Sequence, residues 1–185
     1  AEITEKIQSN GGSVISEHIK NNCAKFIIMN DGYTHWKGFN LSKNEEGKYI
    51  VSHRFIDKWL VHKKVFKHVK EKAMDLLPLP YKIPYEGFDQ FWIAFSLFDQ
   101  NKQDTEVLSN SANLLGMKVE FTEEETTHLI INSDRKNELD KSVKIQRIKR
   151  TFTKRKPKVV LFEWFLQGLL NGKPEAEENY LIDIN

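Results

Sequence analysis

The chain has 185 residues and a mass of 21.7 kDa, which allows one large domain or two units of roughly 90 residues. Its 39% hydrophobic and 29% charged residues are typical of a soluble globular chain and exclude a disordered one. The longest apolar runs, such as residues 26–29 and 159–162, are far shorter than the roughly 20 residues that span a bilayer. The single cysteine, Cys23, excludes an intrachain disulfide and indicates a reducing compartment.

The charge is small overall but unevenly distributed. The formal net charge of +2 does not imply that the chain as a whole binds nucleic acid. Residues 135–158, however, hold eleven basic residues and only two acidic ones, Glu138 and Asp140. We expect this segment to attract acidic peptides, or to contact DNA weakly through the stretch from Lys149 to Lys158. A solvated basic helix and loop without a ligand is the alternative.

Hydrophobic periodicity predicts alternating helices and strands in the first part of the chain. The predicted elements are a helix at residues 2–10, strands at 13–15, 26–29 and 50–52, and a helix at 54–61. A helix-like stretch at 69–77 then leads into an extended, proline-containing linker, because a proline disfavours helix at the residue before it.

The second part of the chain repeats this order, with an aromatic strand added in front of it and a helix added before its last strand. The predicted elements are a strand at residues 91–98, a helix at 105–115, strands at 118–121 and 129–131, a helix beginning near Lys144, a strand at 159–162 and a helix at 163–170. The apolar strands lack alternation, which favours a parallel sheet covered by helices on both faces. The order of elements is therefore α/β.

Three landmarks recur in the same order and indicate an internal repeat. Gly11 returns as Gly116 at an offset of 105, residues 24–31 return as 127–134 at an offset of about 103, and residues 50–55 return as 159–164 at an offset of 109. We interpret the chain as two copies of one unit of roughly 100 residues. The first copy lacks the opening strand.

The second copy resembles a BRCT domain. The resemblance rests on the glycine after the first helix, on Thr127-His128-Leu129-Ile130, and on Val159-Val160-Leu161-Phe162-Glu163-Trp164. In the first copy, Phe55 stands where the family usually has tryptophan. The resemblance implies two tandem BRCT domains, each with a four-stranded parallel sheet flanked by helices: a first repeat at 1–66 that is incomplete at its N-terminus, a linker at 67–87, and a second repeat at 88–185.

Within the family, Phe95-Ser96 and residues 111–116 resemble the fourth and fifth repeats of replication and checkpoint scaffolds of the topoisomerase-II-binding type. This resemblance implies a non-catalytic, nuclear interaction module that binds a phosphorylated Ser/Thr segment of a partner, such as the tail of the checkpoint sliding clamp. Residues 149–152 and 177–182 resemble the C-terminal BRCT pair of ligase-IV-type end-joining proteins. That alternative implies a coiled-coil partner held through the linker.

A phosphate dianion is best bound by hydroxyl or backbone N–H donors together with a fixed cation, because charge-assisted hydrogen bonds are strong. The family resemblance implies that Ser96 and the N–H groups after it, beginning at Leu97, supply the donors. It implies Lys144 as the cation, with Lys141 and Arg147 nearby. The family often has glycine where this chain has Leu97.

The sequence contains no pattern that indicates catalysis or a cofactor. It has no phosphate-binding glycine loop, no His-Glu-x-x-His and no nucleophile elbow. Its six histidines have no metal-ligand spacing, and His128 is expected to be a strand residue with an ordinary hydrogen bond. We therefore expect no enzyme activity, no cofactor and no metal.

Overall fold

The computed structural model describes residues 2–14, 26–32, 49–62, 78–98, 102–153 and 155–184. The helix-like stretch predicted at 69–77 lies outside them. The chain divides into two compact units, Ala1–Tyr81 and Lys82–Asn185, and the boundary falls within the segment predicted as linker. In the described part of the chain, no helix has the length and apolar character needed to cross a bilayer.

The first unit contains two helices and a pair of parallel strands within its described residues. They are α1 (Glu2–Ser9), β1 (Phe26–Met29), β2 (Tyr49–Ser52) and α2 (Arg54–His62). Gly11 follows α1 with a φ of +80°, as the predicted helix end requires. The prediction of a strand at 13–15 is wrong for Ser13 and Val14, which are not in a strand. Phe55 is buried and stacks on Phe26 with ring centroids 4.9 Å apart.

The second unit contains a four-stranded sheet, as the fold class predicted. Its elements are β3 (Trp92–Ser96), α3 (Lys102–Leu115), β4 (Lys118–Val119), β5 (His128–Ile131), a 3₁₀ region (Ser133–Lys141), α4 (Val143–Thr151), β6 (Lys158–Leu161) and α5 (Phe162–Asn171). The strand order is β4-β3-β5-β6 and all three pairings are parallel. The largest differences from prediction are that α3 begins three residues earlier, β3 has five residues instead of eight, and β4 has two residues instead of four.

The core of this unit explains why its strands are apolar runs. All four residues of β5 are buried, because β5 is a central strand with side chains packed on both faces. On one side of the sheet, Ile145 and Ile148 of α4 pack with Leu129 and Val159. Trp164 of α5 is 1% exposed, and its indole N–H donates to the Glu175 carbonyl at 2.9 Å. The tryptophan is therefore structural, with its polar group satisfied.

The sheet register confirms the internal repeat and corrects one offset. Ile28 lies opposite Val51 in the first unit, and Ile130 lies opposite Val160 in the second. Val51 of β2 and Val160 of β6 are 109 positions apart, as the sequence comparison indicated. Their partners Ile28 of β1 and Ile130 of β5 are 102 positions apart, where the sequence comparison indicated about 103.

Each unit has, within itself, a side-chain contact between the residues after one strand and the helix that follows the next strand. In the first unit Asp31 forms an ion pair with Arg54, and in the second the Ser133 hydroxyl donates to Glu163. These four residues occupy matching positions in the two copies. The acidic side chain is on the loop in one unit and on the helix in the other, so the contact is kept while its chemistry differs.

His128 is held in a buried stack, and the expectation of an ordinary hydrogen bond is confirmed. Its ring lies parallel to Trp164 at 4.9 Å, Nδ1 is 2.9 Å from the Thr127 hydroxyl, and Nε2 is 2.8 Å from the Glu177 carboxylate. Burial lowers the pKa of His128 against the opposing effect of Glu177. Burial alone would raise the pKa of Glu177, but hydrogen bonds from Lys158 and His128 hold it below its usual value.

We expect the free energy of unfolding to fall as the pH drops below about 6.5, the ordinary histidine pKa. Because the pKa of His128 is lowered in the folded state, the unfolded chain takes up a proton here that the folded chain does not. One such proton accounts for at most about 1.4 kcal/mol per pH unit. The variant His128→Gln has no titrating ring. In urea unfolding from about pH 8 to 5, it should lack the part of the pH dependence of the free energy of unfolding that His128 contributes. Equal slopes in the two proteins would contradict the assignment.

Candidate functional site

The first part of the site is the carboxyl end of β3. Ser96 is the last residue of this strand, and its carbonyl accepts a hydrogen bond from the Asn132 N–H at 3.2 Å. Leu97 follows with a φ of +62°, in the left-handed region that costs a β-carbon about 1–2 kcal/mol. The chain therefore makes with leucine a turn that glycine makes more easily.

Two contacts hold Leu97 in this conformation. Its side chain packs against the core cluster that includes Ala94 and Ile131, and its carbonyl lies 3.5 Å from Nη1 of Arg135. Strained backbone persists only where the surrounding structure fixes it, and such residues are concentrated at functional sites.

Ser142 joins the end of β3 to the start of α4. Its Oγ accepts a hydrogen bond from the Ile145 N–H at 3.1 Å, which makes it the N-cap of the helix. The same Oγ is 2.7 Å from the hydroxyl of Ser96. The distance alone leaves open which of the two hydroxyls is the donor.

Burial indicates the direction of this bond. Ser142 is only 2% exposed, so an unpaired hydroxyl hydrogen there would cost about 1–3 kcal/mol. Its O–H is satisfied if it donates to Ser96. The O–H of Ser96, which is half-buried, then remains available for an incoming acceptor.

Lys144 is placed beside Ser96 because β4 ends early. On this edge of β3, Lys118 and Glu120 donate their N–H groups to the carbonyls of Phe91 and Ile93 at 2.9 and 3.0 Å. The chain then turns away, and the Lys144 ammonium donates instead to the next carbonyl on the same edge, that of Phe95, at 2.6 Å. The shorter β4 is thus the reason that the lysine reaches the site.

The surroundings of Lys144 affect its charge. The ammonium lies over the ring of Phe121, 5.7 Å from the centroid, and burial lowers its pKa from the usual 10.5. An ammonium has three N–H donors, and the Phe95 carbonyl takes one of them. The others can bind an anion.

The remaining predicted residues lie around this centre. Lys141, at the end of the 3₁₀ region, is 3.4 Å from Glu138 and its side chain is 66% exposed. Arg147 lies one turn after Lys144 on α4, with its guanidinium 5.5 Å from the centroid of Phe121. The structure therefore brings Ser96, Leu97 and Lys144 together, and it places Arg147 over the same ring as Lys144. Lys141 is instead paired with Glu138.

Sequence reasoning missed two residues of the site, Ser142 and Arg135. Ser142 carries a recognisable signal, since a serine directly before an amphipathic helix is a preferred N-cap. Arg135 carries none, because its contact with the Leu97 carbonyl depends on the fold of the 3₁₀ region. A bidentate role for Arg135 is limited by Glu138, whose carboxylate is 2.7 Å from its Nη2.

The arrangement can bind a dianion and contains no evident machinery for a reaction. A hydroxyl, an ammonium and the N-terminus of a nine-residue helix converge at one edge of the sheet. The partner of the Ser96 hydroxyl is a second hydroxyl, which is not a general base. Among the described residues, no group of three or more His, Cys, Asp or Glu side chains could hold a metal ion.

Comparison with known proteins identifies the fold. No family model matches the chain, and no curated protein matches it. The structure is similar to the crystal structure of S. pombe Rad4 BRCT3,4, with 19% sequence identity, a TM-score of 0.55, and coverage of 98% of this chain and 90% of that chain.

Two further structures are similar at TM-scores below 0.5. The BRCT domain of human REV1 has a TM-score of 0.36 and 18% identity, and covers 51% of this chain and 84% of that one. Yeast Rtt107, crystallised with Slx4, has a TM-score of 0.42 and 20% identity, and covers 86% of this chain and 32% of that one. With the parallel sheet of the second unit and the Rad4 likeness over nearly the whole chain, the protein has the fold of a tandem BRCT pair.

Proposed function

We propose that the chain is a non-catalytic tandem BRCT module that binds a phosphorylated Ser/Thr segment of a partner protein through its second repeat. The observation that supports this proposal best is the convergence of the Ser96 hydroxyl, the Lys144 ammonium and the N-terminus of α4. These are the groups that a phosphate dianion needs, and they meet in one half-buried place.

In this proposal the phosphate accepts hydrogen bonds from the Ser96 O–H, from the N–H of Leu97 and from the Lys144 ammonium. Each bond to a charged group contributes about 1.5–3 kcal/mol. The phosphate replaces water at a lysine that the fold already holds in position, so little side-chain entropy is lost on binding. By linkage, the bound dianion raises the pKa of Lys144.

The partner and the setting are the finer part of the proposal. We propose a nuclear replication and damage-checkpoint scaffold of the topoisomerase-II-binding type, with repeats at 1–66 and 88–185 joined by the linker at 67–87. The partner is then a phosphorylated protein such as the tail of the checkpoint sliding clamp. Fluorescence anisotropy with a phosphorylated peptide and its unphosphorylated twin distinguishes this from a ligase-IV-type module, in which the linker binds a coiled coil regardless of phosphate.

We expect wild-type protein to bind the phosphorylated peptide and to ignore the unphosphorylated one. Ser96→Ala and Lys144→Met should each weaken binding by about 10- to 100-fold, since each loses one bond to the dianion. Lys149→Met removes a positive charge from the same helix at an exposed position and serves as the matched control. Its effect should be less than about 3-fold, in keeping with the small value of exposed charges.

Equal binding of the two peptides, or an equal effect of Lys144→Met and Lys149→Met, would contradict the phosphate site. In the first case a partner held by the linker becomes the better assignment.

The direction of the Ser142–Ser96 hydrogen bond gives a second test. Ser142→Asp keeps an N-cap acceptor for Ile145 but has no hydroxyl hydrogen, so it forces Ser96 to donate to it. Val143→Asp adds the same charge one residue later, at a position that is 81% exposed. We expect Ser142→Asp to weaken phosphopeptide binding at least 10-fold more than Val143→Asp does, while thermal unfolding shows both variants folded. Ser142→Thr, which keeps the hydroxyl, should retain binding. Equal losses in the two aspartate variants would rule out an orienting role.

A further inference from the structure

Five exposed basic side chains on α4 and between α4 and β6 have no ion-pair partner in the part of the chain that the structure describes. They are Arg147, Lys149, Arg150, Arg155 and Lys156, and all five are exposed. The neighbouring residues Lys141 and Lys158 do form ion pairs, with Glu138 and Glu177 respectively. We call these five residues the basic surface.

The fold holds the basic surface on one side of the second unit. Ile145, Ile148 and Phe152 are buried, so the opposite face of α4, with Arg147 and Arg150, is turned outward. After the helix, Phe152 and Pro157 are both buried, and the Thr153 N–H donates to the Glu123 carboxylate at 3.0 Å. Arg155 lies between these anchors. The helix and these buried side chains thus anchor the described residues that carry the cations, which lowers the entropy cost of binding.

We propose that the basic surface binds the phosphate backbone of duplex DNA. Duplex DNA carries about one negative charge per 1.7 Å of its axis, so a surface with several cations can engage several phosphates together. Three of the five residues are arginines, whose planar guanidinium binds phosphate in a bidentate manner. Phe152 is the only aromatic residue between 143 and 158, and it is buried. Phe121, beside Arg147, is partly buried and stacks on Phe152. The described part of this surface therefore lacks a series of exposed rings for successive bases, which favours contact with the backbone of a duplex over single strands.

Four residues of this surface lie apart from the proposed phosphate site. Ser96 is half-buried at the end of β3, and Lys144 is occupied with the Phe95 carbonyl on the sheet side of α4. Arg147 lies over the Phe121 ring that Lys144 also contacts, whereas Lys149, Arg150, Arg155 and Lys156 make no contact with either site group in the described structure. Changes at Arg155 and Lys156 should therefore leave phosphopeptide binding in place.

The test is an anisotropy titration of the full chain with a fluorescein-labelled duplex of roughly 20 base pairs, over a series of salt concentrations. If all five cations contact phosphate, the slope of log K against log salt is about −4.5. Arg147→Glu/Arg150→Glu and Arg155→Glu/Lys156→Glu should each weaken binding by at least 10-fold and reduce the slope by about 1.8. Lys82→Glu/Lys173→Glu makes the same charge change at exposed positions outside the basic surface and should leave the slope unchanged.

Four results would overturn the proposal. The first three are no salt-dependent binding by the wild-type chain, an equal effect of the control pair, and displacement of the duplex by polyglutamate of matched charge, which would indicate an acidic protein as the ligand. The fourth is tighter binding of a labelled single strand than of the duplex. Ser96→Ala should bind DNA as the wild type does, and Arg155→Glu/Lys156→Glu should still bind phosphopeptide. Failure of the DNA proposal can therefore be distinguished from failure of the phosphopeptide proposal.

Discussion

The site is organised around the carbonyl of Phe95, which accepts its hydrogen bond from the ammonium of Lys144. A buried backbone carbonyl without a partner is costly, and a fully extended β4 would have supplied the N–H of residue 122. That N–H instead binds the Thr126 hydroxyl at 2.8 Å, because the chain turns away after Glu120. Lys144 fills the vacant position on β3, and this fixes its ammonium one residue from Ser96. A backbone requirement of the sheet thus determines where the cation lies.

Hydrogen bonds connect the site to the core of the second unit. Ser96 is bonded to Asn132, directly after β5, and to Ser142, the N-cap of α4, so the strand end is joined to the central strand and to the helix N-terminus. On the far side of the sheet, the stack of His128 on Trp164 closes the core against the C-terminal segment, where Leu161 N–H donates to the Tyr180 carbonyl at 2.9 Å. The first unit uses an ion pair, Asp31 with Arg54, at the place where the second uses a neutral donor.

The parts of the fold that local sequence determines were predicted well, and those that depend on long-range contacts were not. The apolar run of β5 and the glycine at 116 indicate their structures directly. The length of β4 depends on a hydrogen bond between Thr122 and Thr126, which no periodicity reveals. In the site, Ser96 and Lys144 came from the family resemblance. The role of Ser142 at the site depends on its contact with Ser96, which lies 46 positions earlier in the sequence. The fold brings the two hydroxyl oxygens within 2.7 Å of each other.

Helix α4 divides two kinds of cation between two of its faces. Lys144 is partly desolvated and its pKa is lowered, so its charge is lost at a lower pH than that of an exposed lysine, and a bound dianion restores that charge. Arg147 and Arg150, on the outward face, carry planar guanidinium groups that bind phosphate in a bidentate manner. The inner face therefore suits a single, geometrically defined anion whose binding is coupled to a proton. The outer face suits a ligand of many phosphates, whose affinity follows the salt concentration instead of the pH.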